Sequence, residues 1–263
     1  MLRVREAASR VAKAGAALLS GFFLTGCSTM ENPAMRQADV PFFEKDFLPD
    51  AVAEKAPWAQ MAPQLLFSKD WQGKENFPDY KTEVRLCWSK EFLYVLWIAS
   101  YDELHTAANV KPEGRGETWG IWNGDAVEMF IGDSPDPKRY FEFIVSPLDQ
   151  WIDVRHNKNL APELSYDASW ESGWKRAVRI DSKEKRWIAE WRIPLGAITT
   201  QAIGADKKFR GNFYRMAGRD EKTLLYMAWS PTMSRDKPSF HVPERFGTIS
   251  LRGNNAGEAG SGK

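Results

Sequence analysis

The sequence contains little of what disulfide, zinc and nucleophilic sites are made from. Its 263 residues include two cysteines and three histidines, too few for a disulfide framework or for a zinc site with the usual Cys/His spacing. The histidines, His105, His156 and His241, are scattered, and no Gly-x-Ser-x-Gly elbow accompanies them. Because nucleophilic catalysis needs a nucleophile beside an oriented base, the sequence gives no sign of a hydrolase triad.

Three further absences narrow the function. The net charge is +1 and no basic block stands out, which argues against nucleic acid as a partner. The Gly-x-Gly-x-x-Gly and Walker A patterns of nucleotide-binding loops are missing. A glycosidase needs two carboxylates across a cleft, and no pair is singled out among the 35 acidic residues. We therefore expect a protein that is not an enzyme.

The first 26 residues have the order of a bacterial lipoprotein signal peptide. Four basic residues precede an apolar run at residues 14–24, which is too short for a comfortable membrane span. The run ends in Leu-Thr-Gly-Cys, which resembles a lipobox, so Cys27 is predicted to be acylated and to become the mature N-terminus. Ser28 stands where an inner-membrane retention signal would have Asp. We expect lipid anchoring at the cell envelope, in the outer membrane, on its periplasmic or surface side.

The remainder divides into a tether, one domain and a tail. Residues 27–40 are polar and mixed, as expected of a tether. Residues 253–263 are rich in Gly, Ala, Ser and Asn and are predicted to be disordered. No repeat or linker interrupts residues 41–252, which we interpret as one domain.

The sequence of that domain consists mainly of short segments with the alternation of apolar and polar residues that is typical of β-strands. In the segment TEVRLCW, Val84, Leu86 and Trp88 share one face, whereas FLYVLWIAS is apolar on both faces, as a strand buried on both sides would be. Many such segments separated by turns predict an all-β fold, an antiparallel β-sandwich of the jelly-roll-like type. Short helical turns are expected near Pro49–Gln60 and Leu195–Thr200. Cys87, inside a strand, is expected to be a small buried hydrophobe.

Aromatic residues are abundant, with twelve Trp and fifteen Phe. Six of them lie at strand ends or beside turns, where a ring can present its face to solvent: Trp119, Trp122, Trp151, Trp170, Trp174 and Phe240. The C–H face of a pyranose stacks on such a ring, while nearby polar side chains bind its hydroxyls. This combination describes a small-ligand site, although packing at the rim of the fold explains any one of these rings equally well.

Calcium is possible but is not required by anything in the sequence. Five acids lie near predicted strand ends, where calcium takes oxygen ligands: Asp102, Glu103, Asp125, Asp133 and Asp136. Asp-Ser-Pro-Asp-Pro is also an ordinary turn sequence, and no calcium-loop motif is present. The metal ligands are therefore left unassigned.

The order of the segments resembles a known family. TEVRLCWSKEFLYVLWIASYD is followed by WNGDAVEMFIGD, RYFEFIVSP, RWIAEWRIPLGAI, GNFYRMAGRDE, WSP and FHVPERFGTISL. In this order the motifs resemble family 9 carbohydrate-binding modules, β-sandwiches related to DOMON domains. The resemblance covers residues 41–252 and ends in a His-x-Pro-x-x-Phe-Gly segment.

The resemblance implies a sugar clamp. In sugar-binding members, the Trp before the Asp-x-Val-Glu strand is one wall around a terminal sugar, which corresponds to Trp122, followed by Asn123 and Asp125. The Glu of that strand contacts sugar hydroxyls, which corresponds to Glu128. Its position fits a polar groove, because it lies on the face opposite Val127.

The rest of the implied clamp departs from the family pattern. Phe240 takes the position of the second wall, where sugar-binding members have Trp. Ser146 stands where the pattern often has Asn, and keeps a hydroxyl without the amide. Ile144 replaces a basic residue that some binders carry. These substitutions leave the identity of the sugar open.

We therefore expect a lipid-anchored, non-catalytic protein that holds the end of a glycan or oligosaccharide at the cell envelope. One alternative is a structural or partner-binding lipoprotein that kept the sandwich without sugar binding. Another is a DOMON-like haem-binding electron carrier, for which Met129, Met216 and His241 would be axial ligands, although Met129 is expected to point into the core.

Overall fold

The computed structural model describes residues 34–107, 116–133 and 135–253, which belong to one compact unit. The predicted signal peptide, the acylation site Cys27 and residues 254–263 of the predicted tail lie outside these ranges. Among the described residues, none of the helices has the length and apolarity to span a membrane.

Two sheets make up the fold. The larger has eight strands, in the order β1-β13-β11-β5-β6-β7-β8, with β12 paired to β11. Its strands are β1 Gln37–Pro41, β5 Ala126–Gly132, β6 Arg139–Val145, β7 Trp151–Asn157, β8 Tyr166–Asp167, β11 Lys208–Ala217, β12 Leu225–Ala228 and β13 Gly247–Arg252. The all-β sandwich predicted from the alternating segments is confirmed.

The smaller sheet has five strands, in the order β2-β3-β4-β10-β9. These are β2 Leu65–Phe67, β3 Thr82–Trp88, β4 Phe92–Ser100, β9 Lys175–Asp181 and β10 Arg186–Pro194. Helical structure is limited to α1 Leu195–Ile198 and to the 3₁₀ turns Trp58–Gln60, Pro78–Tyr80, Ile121–Asn123, Pro162–Leu164, Glu221–Thr223 and Pro243–Arg245. The two predicted helical turns contain the 3₁₀ turn at Trp58 and α1.

The core between the sheets follows from the period-2 pattern of the strands. One apolar cluster joins fully buried side chains of both sheets: Val84 and Leu86 of the smaller sheet, and Val127, Met129 and Ile131 of the larger sheet. Alternate residues of a strand point to opposite faces, so the same strands send their other side chains to the outside of the sandwich. The outer face of the larger sheet, away from this core, carries a second cluster that includes Phe130, Tyr140 and Tyr214.

Strand β4 is buried on both faces, as its continuous apolar sequence predicted. Its inner face joins the core, while Tyr94, Leu96 and Ile98 join a third cluster that covers the outer face of the smaller sheet. The covering segment includes Ala51 and Trp58. Cys87 lies in the same cluster, fully buried and unpaired, as expected, and this burial raises the pKa of its thiol.

The N-terminal boundary of the domain was predicted incorrectly. Residues 37–40, assigned to the tether, are part of β1, which pairs with β13 from Gln37 opposite Thr248 to Pro41 opposite Arg252. This pairing is parallel, whereas the other strand pairings in the described residues are antiparallel. The polar composition concealed the strand because β1 lies at a sheet edge and alternates buried with exposed residues.

The Phe-Gly pair near the C-terminus has a steric reason. A Cβ on Gly247 would lie 2.5 Å from Cζ3 of Trp229 and 2.6 Å from the carbonyl oxygen of Arg36. The first neighbour is a buried ring and the second is a backbone atom, so neither can move away without disturbing the packing around it. Glycine at this position therefore allows the last strand to lie between the β1 edge and the core.

Candidate functional site

A cavity of about 450 Å³ opens on the outer face of the larger sheet. Alternate residues of β5, β6, β7 and β11 line it, together with the segments around Trp122 and Phe240 and with Lys158, Tyr166 and Tyr226. The lining residues drawn from the strands are Glu128, Glu142, Ile144, Val154, His156 and Met216. The size is typical of small-molecule sites, which occupy about 300–1,000 Å³.

On one side of the cavity, Trp122 offers an accessible aromatic ring. It is 38% exposed and is the one exposed Trp among the twelve. The 3₁₀ turn that carries it follows Gly120, whose φ of 88° is left-handed and is readily adopted by glycine. The ring meets Trp119 edge-on at 5.9 Å, and Trp119 in turn lies 6.1 Å from the ring of Tyr166. These neighbours hold Trp122 in place while leaving part of it open to solvent.

Phe240 lines the same cavity but is far less accessible, at 8% exposed. Its ring stacks on Tyr214 at 4.1 Å, with an interplanar angle of 12°, and its carbonyl oxygen accepts a hydrogen bond of 2.9 Å from the Tyr214 hydroxyl. Phe240 is therefore a fixed surface of the cavity, with one face already covered by the protein.

Carboxyl groups and imidazoles form the polar part of the cavity. Glu128 and Glu142 are buried and hydrogen-bonded to each other. Burial, followed by the charge of Glu142, raises the pKa of Glu128 well above its usual value. Burial alone would raise that of Glu142 too, but a 2.6 Å hydrogen bond with His156 and the nearby His241 leave its pKa lowered. These opposite shifts favour a proton on Glu128 and the negative charge on Glu142.

Asp125 does not line the cavity, which corrects the expectation that it contacts a ligand. It is fully buried, and its Oδ1 lies 2.7 Å from Nη2 of Arg215. Its Oδ2 accepts a hydrogen bond of 2.9 Å from the backbone N–H of His105. Asp125 therefore fixes the start of β5, immediately after the turn that carries Trp122.

Ser146 and Asn123 are also outside the cavity lining. Ser146 is fully buried; its hydroxyl donates to Oε1 of Gln150 at 2.9 Å and accepts from the backbone N–H of Leu148 at 3.2 Å. It therefore stabilises the turn between β6 and β7, which corrects its assignment as a ligand contact. Asn123 is exposed on the outside of the Trp122 turn.

Three of the other turn-associated tryptophans serve the core. Trp174 is buried between the sheets, while Trp151 and Trp170 are half-buried against the same cluster. Trp151 also carries the guanidinium of Arg176 over its ring at 4.5 Å. Position at a strand end therefore did not by itself identify a ring available to a ligand.

The five acids considered for calcium do not form one ligand set. Asp102 and Glu103 pair with Arg219, and Asp125 pairs with Arg215. Asp133 contacts Lys207 and Thr199, and Asp136 accepts from the backbone N–H of Lys138. Each carboxylate thus has its own protein partner.

The haem ligands that were considered are also separated. Met129 lies in the core between the sheets, whereas Met216 and His241 line the cavity on the outer face. Because alternate residues of a strand face opposite sides, Met129 cannot reach a group bound in the cavity.

Several lining residues were not assigned to the sugar site from the sequence: Glu142, Lys158, Tyr166, Tyr226, Lys237 and the two histidines His156 and His241. Period-2 alternation could have found Glu142, which lies two residues from Ile144 and on the same face of β6. The others depend on strand pairing and on loops far away in the sequence.

A larger cavity of about 750 Å³ lies beside the first and shares His156 and Tyr166 with it. Its lining includes Arg139, Arg155 and residues 196–201 at the end of α1. We take the smaller cavity as the candidate site because it combines the exposed ring of Trp122 with buried, hydrogen-bonded carboxyl groups.

Comparisons with known proteins agree with this architecture. A family model described as carbohydrate family 9 binding domain-like matches residues 50–254. A candidate carbohydrate-binding protein from Bacteroides uniformis has a similar structure, with a TM-score of 0.63 and 19% identity, over 83% of this chain and 100% of the other. No curated protein matches the chain.

Two further similar structures are of a family 9 carbohydrate-binding module from Caldicellulosiruptor kristjanssonii. The complex with glucose has a TM-score of 0.59 and 12% identity, over 86% of this chain and 100% of the module. The complex with cellotriose has a TM-score of 0.57 and 12% identity, over 87% and 100%. At these identities the likeness shows the fold, and none of these matches is described as a DOMON domain, so that relation is not supported.

Proposed function

Because this chain belongs to the carbohydrate family 9 binding domain-like family, we propose that it binds the end of a glycan or oligosaccharide in the cavity beside Trp122. The observation that carries the proposal is the meeting of Trp122 and Glu128, from one segment, with Phe240, from a segment more than 100 residues later, around one cavity. Trp122 stacks on the sugar face, Phe240 closes the other side, and Glu128 with its neighbours binds the hydroxyls.

The chemistry of the lining suits a neutral sugar. A pyranose has apolar C–H faces and a rim of hydroxyls, each able to donate and accept hydrogen bonds. The aromatic rings supply apolar contact, Glu142 accepts, and Lys158 and Lys237 donate. Family 9 modules of similar fold bind glucose and cellotriose, which makes these two sugars the first ligands to test.

Binding without hydrolysis is part of the proposal. The carboxyl groups of retaining glycosidases lie about 5–5.5 Å apart, and those of inverting enzymes about 6.5–9.5 Å apart. Glu128 and Glu142 instead lie on the same face of the neighbouring strands β5 and β6, rather than on opposite sides of a cleft. This arrangement supports a binding role for the pair.

Replacing Trp122 by alanine is expected to weaken binding of cellotriose by about tenfold or more. Stacking on an aromatic ring is worth about 0.5–1.5 kcal/mol beyond the apolar area that it buries, and about 1.4 kcal/mol is a factor of ten. We expect the full chain to bind with a dissociation constant on the order of micromolar to millimolar. Calorimetry with cellotriose and glucose measures both quantities.

Leu66→Ala is the matched control for this variant. Leu66 is 53% exposed and lies on β2 of the other sheet, so its loss removes an exposed apolar side chain away from the cavity. Both variants should melt within a few degrees of the unchanged protein, since surface substitutions cost within about 0.5 kcal/mol. Equal binding by Trp122→Ala would exclude the clamp. A folded protein that binds neither sugar would favour a structural or partner-binding lipoprotein.

We further propose that acylation at Cys27 anchors the domain to the outer membrane. Nine residues separate Cys27 from β1, which begins at Gln37, so the tether is shorter than its sequence suggested. Cys27→Ser is expected to move the protein from the washed membrane fraction to the soluble fraction and to abolish labelling by radioactive palmitate. A Cys87→Ser variant, which changes the buried thiol, should keep both. Membrane attachment that persists in Cys27→Ser would rule out this anchor.

A further inference from the structure

Two histidines and a glutamate that line the cavity converge on one another. Glu142 from β6, His156 from β7 and His241 from the loop after Phe240 each offer one ligand atom, and these three atoms lie within 4.8 Å of one another. Glu142 and His241 are 99 residues apart in the sequence. The pairing of β6 with β7 brings Glu142 close to His156, and the loop after Phe240 brings His241 to both. A single ion could therefore be reached by all three side chains.

The contacts among these side chains leave coordinating capacity unused. Oε2 of Glu142 lies 2.6 Å from Nε2 of His156, and the Tyr140 hydroxyl lies 2.8 Å from Nδ1 of His241. His156 is 6% exposed, and within the described residues its Nδ1 is buried without a hydrogen-bond partner. A buried polar atom without a partner is costly, so this imidazole has a reason to bind something that the protein itself does not provide.

We propose that Glu142, His156 and His241 bind one divalent transition-metal ion of the Zn²⁺ class. Two imidazole nitrogens and one carboxylate form a ligand set that zinc accepts with a fourth position left for water or another ligand. Calcium and magnesium prefer oxygen ligands, so the nitrogens exclude them. The fourth position faces the cavity, since all three residues line it.

The ligand atoms need only a small rearrangement. Metal–ligand distances of about 2.0–2.2 Å place tetrahedral ligand atoms about 3.3–3.6 Å apart. The Glu142–His156 hydrogen bond must therefore lengthen, while the most distant pair of atoms must approach. His241 has the most room to move, because it is exposed whereas Glu142 and His156 are buried.

The surroundings provide outer contacts of the kind that orient metal ligands. Carboxylate or hydroxyl partners commonly fix the ring of a ligating histidine, and ligating carboxylates are themselves hydrogen-bonded. The Tyr140 hydroxyl is the hydrogen-bond partner of the His241 ring, and Glu128 is the hydrogen-bond partner of Glu142. Lys158 also lines the cavity and opposes a cation, and the Glu142 carboxylate, which lines the same cavity, offsets it.

Zinc titration of the full chain tests this inference. The protein is purified without a histidine tag, treated with a chelator and titrated with Zn²⁺ by calorimetry in the absence of sugar. We expect saturation at one ion per chain, and visible absorption bands of four-coordinate Co²⁺ when Co²⁺ is used instead. Ca²⁺ should neither bind at this site nor displace Co²⁺.

Variants distinguish this site from adventitious binding. His241→Ala and Glu142→Gln should weaken Zn²⁺ binding by at least about 100-fold, the upper end of the cost of losing even an outer-shell partner, and Tyr140→Phe by about tenfold. His105→Ala is the matched control, because His105 is the remaining histidine of the chain and lies outside the cavity lining; it should bind as the unchanged protein does. Circular dichroism verifies that each variant is folded.

Two results would overturn the inference. One is the absence of saturable binding at one ion per chain. The other is Zn²⁺ binding that survives both His241→Ala and Glu142→Gln in folded protein. Because these titrations contain no sugar, neither result bears on the sugar-binding proposal, which rests on Trp122 and cellotriose.

Discussion

Replacing Arg215 by alanine is expected to lower the free energy of unfolding by about 3–5 kcal/mol, the usual cost of breaking a buried ion pair by removing one partner. Arg215 and Asp125 are both 0% exposed, and their charged atoms lie 2.7 Å apart. Without the guanidinium, the Asp125 carboxylate stays buried without its cation. Urea unfolding followed by tryptophan fluorescence measures the loss.

The pKa shifts of the pair show why the loss should be large. Burial raises the pKa of Asp125, and burial lowers that of Arg215, in both cases against the effect of the partner. Each charge is therefore costly in this place and depends on the other. Removing both charges in Asp125→Asn/Arg215→Met should recover part of the stability, as it does for other buried ion pairs replaced by neutral residues.

The control is an exposed pair of the same length. Arg219 and Asp102 also lie 2.7 Å apart but are 61% and 44% exposed, and such pairs contribute about 0–1 kcal/mol. Arg219→Ala should therefore have a small effect. If Arg215→Ala is no more destabilising than Arg219→Ala, Asp125 does not anchor the start of β5 as described. If Arg215→Ala is the more destabilising of the two, the affinity for cellotriose should fall as well, because Asp125 follows the turn that carries Trp122.

Replacing Glu190 by alanine is expected to cost about 3 kcal/mol and to release the segment that covers the smaller sheet. Oε2 of Glu190 accepts hydrogen bonds of 2.8 Å from the backbone N–H groups of Asp50 and Ala51, and Oε1 accepts one of 2.7 Å from Nε1 of Trp58. Each buried donor left unsatisfied costs about 1–3 kcal/mol, and the opened segment allows water to reach some of them. Urea unfolding gives the loss, and hydrogen exchange at residues 50–58 reports the release.

Two substitutions bracket this result. Glu190→Gln keeps a carbonyl oxygen for the two backbone donors but places an amide N–H₂ against the Trp58 indole, so it should cost less than alanine. Glu54→Ala is the matched control within the same segment, because Glu54 is 58% exposed and its pairs with Arg179 and Arg186 lie in solvent; we expect a loss within about 1 kcal/mol. Equal losses in Glu190→Ala and Glu54→Ala would mean that burial does not set the strength of this contact.

The aromatic residues illustrate how far local sequence patterns reach. Alternation placed Val84, Leu86 and Val127 on inward faces, and the structure agrees. The same reasoning grouped Trp122 with Trp174 because both lie beside turns, yet Trp174 is buried in the core and Trp122 is exposed. A nearby turn locates an aromatic residue at the end of a strand, but packing against the opposite sheet determines whether its ring is buried.

The acidic residues show the same limit. Asp125 and Glu128 are three residues apart in one motif, and both were expected at the ligand. Glu128 lines the cavity, whereas Asp125 is paired with Arg215, which is 90 residues later in the chain. The motif could not separate these roles, because the partner that neutralises Asp125 is brought to it by the pairing of β5 with β11.

Most of the strands, their inward faces and the sandwich class could be predicted from the amino-acid sequence, because apolar alternation with period 2 is a local property and burial of apolar area drives the sheets together. The sequence also pointed to Trp122, Glu128 and Phe240 through the order of the family's motifs. The tertiary structure alone decided that β1 begins inside the predicted tether, that Asp125 and Ser146 support the fold, and that Glu142, His156 and His241 meet. Each of these features depends on pairing or contact between segments that are distant in the sequence, and the local hydrophobic periodicity does not specify which distant segments come into contact.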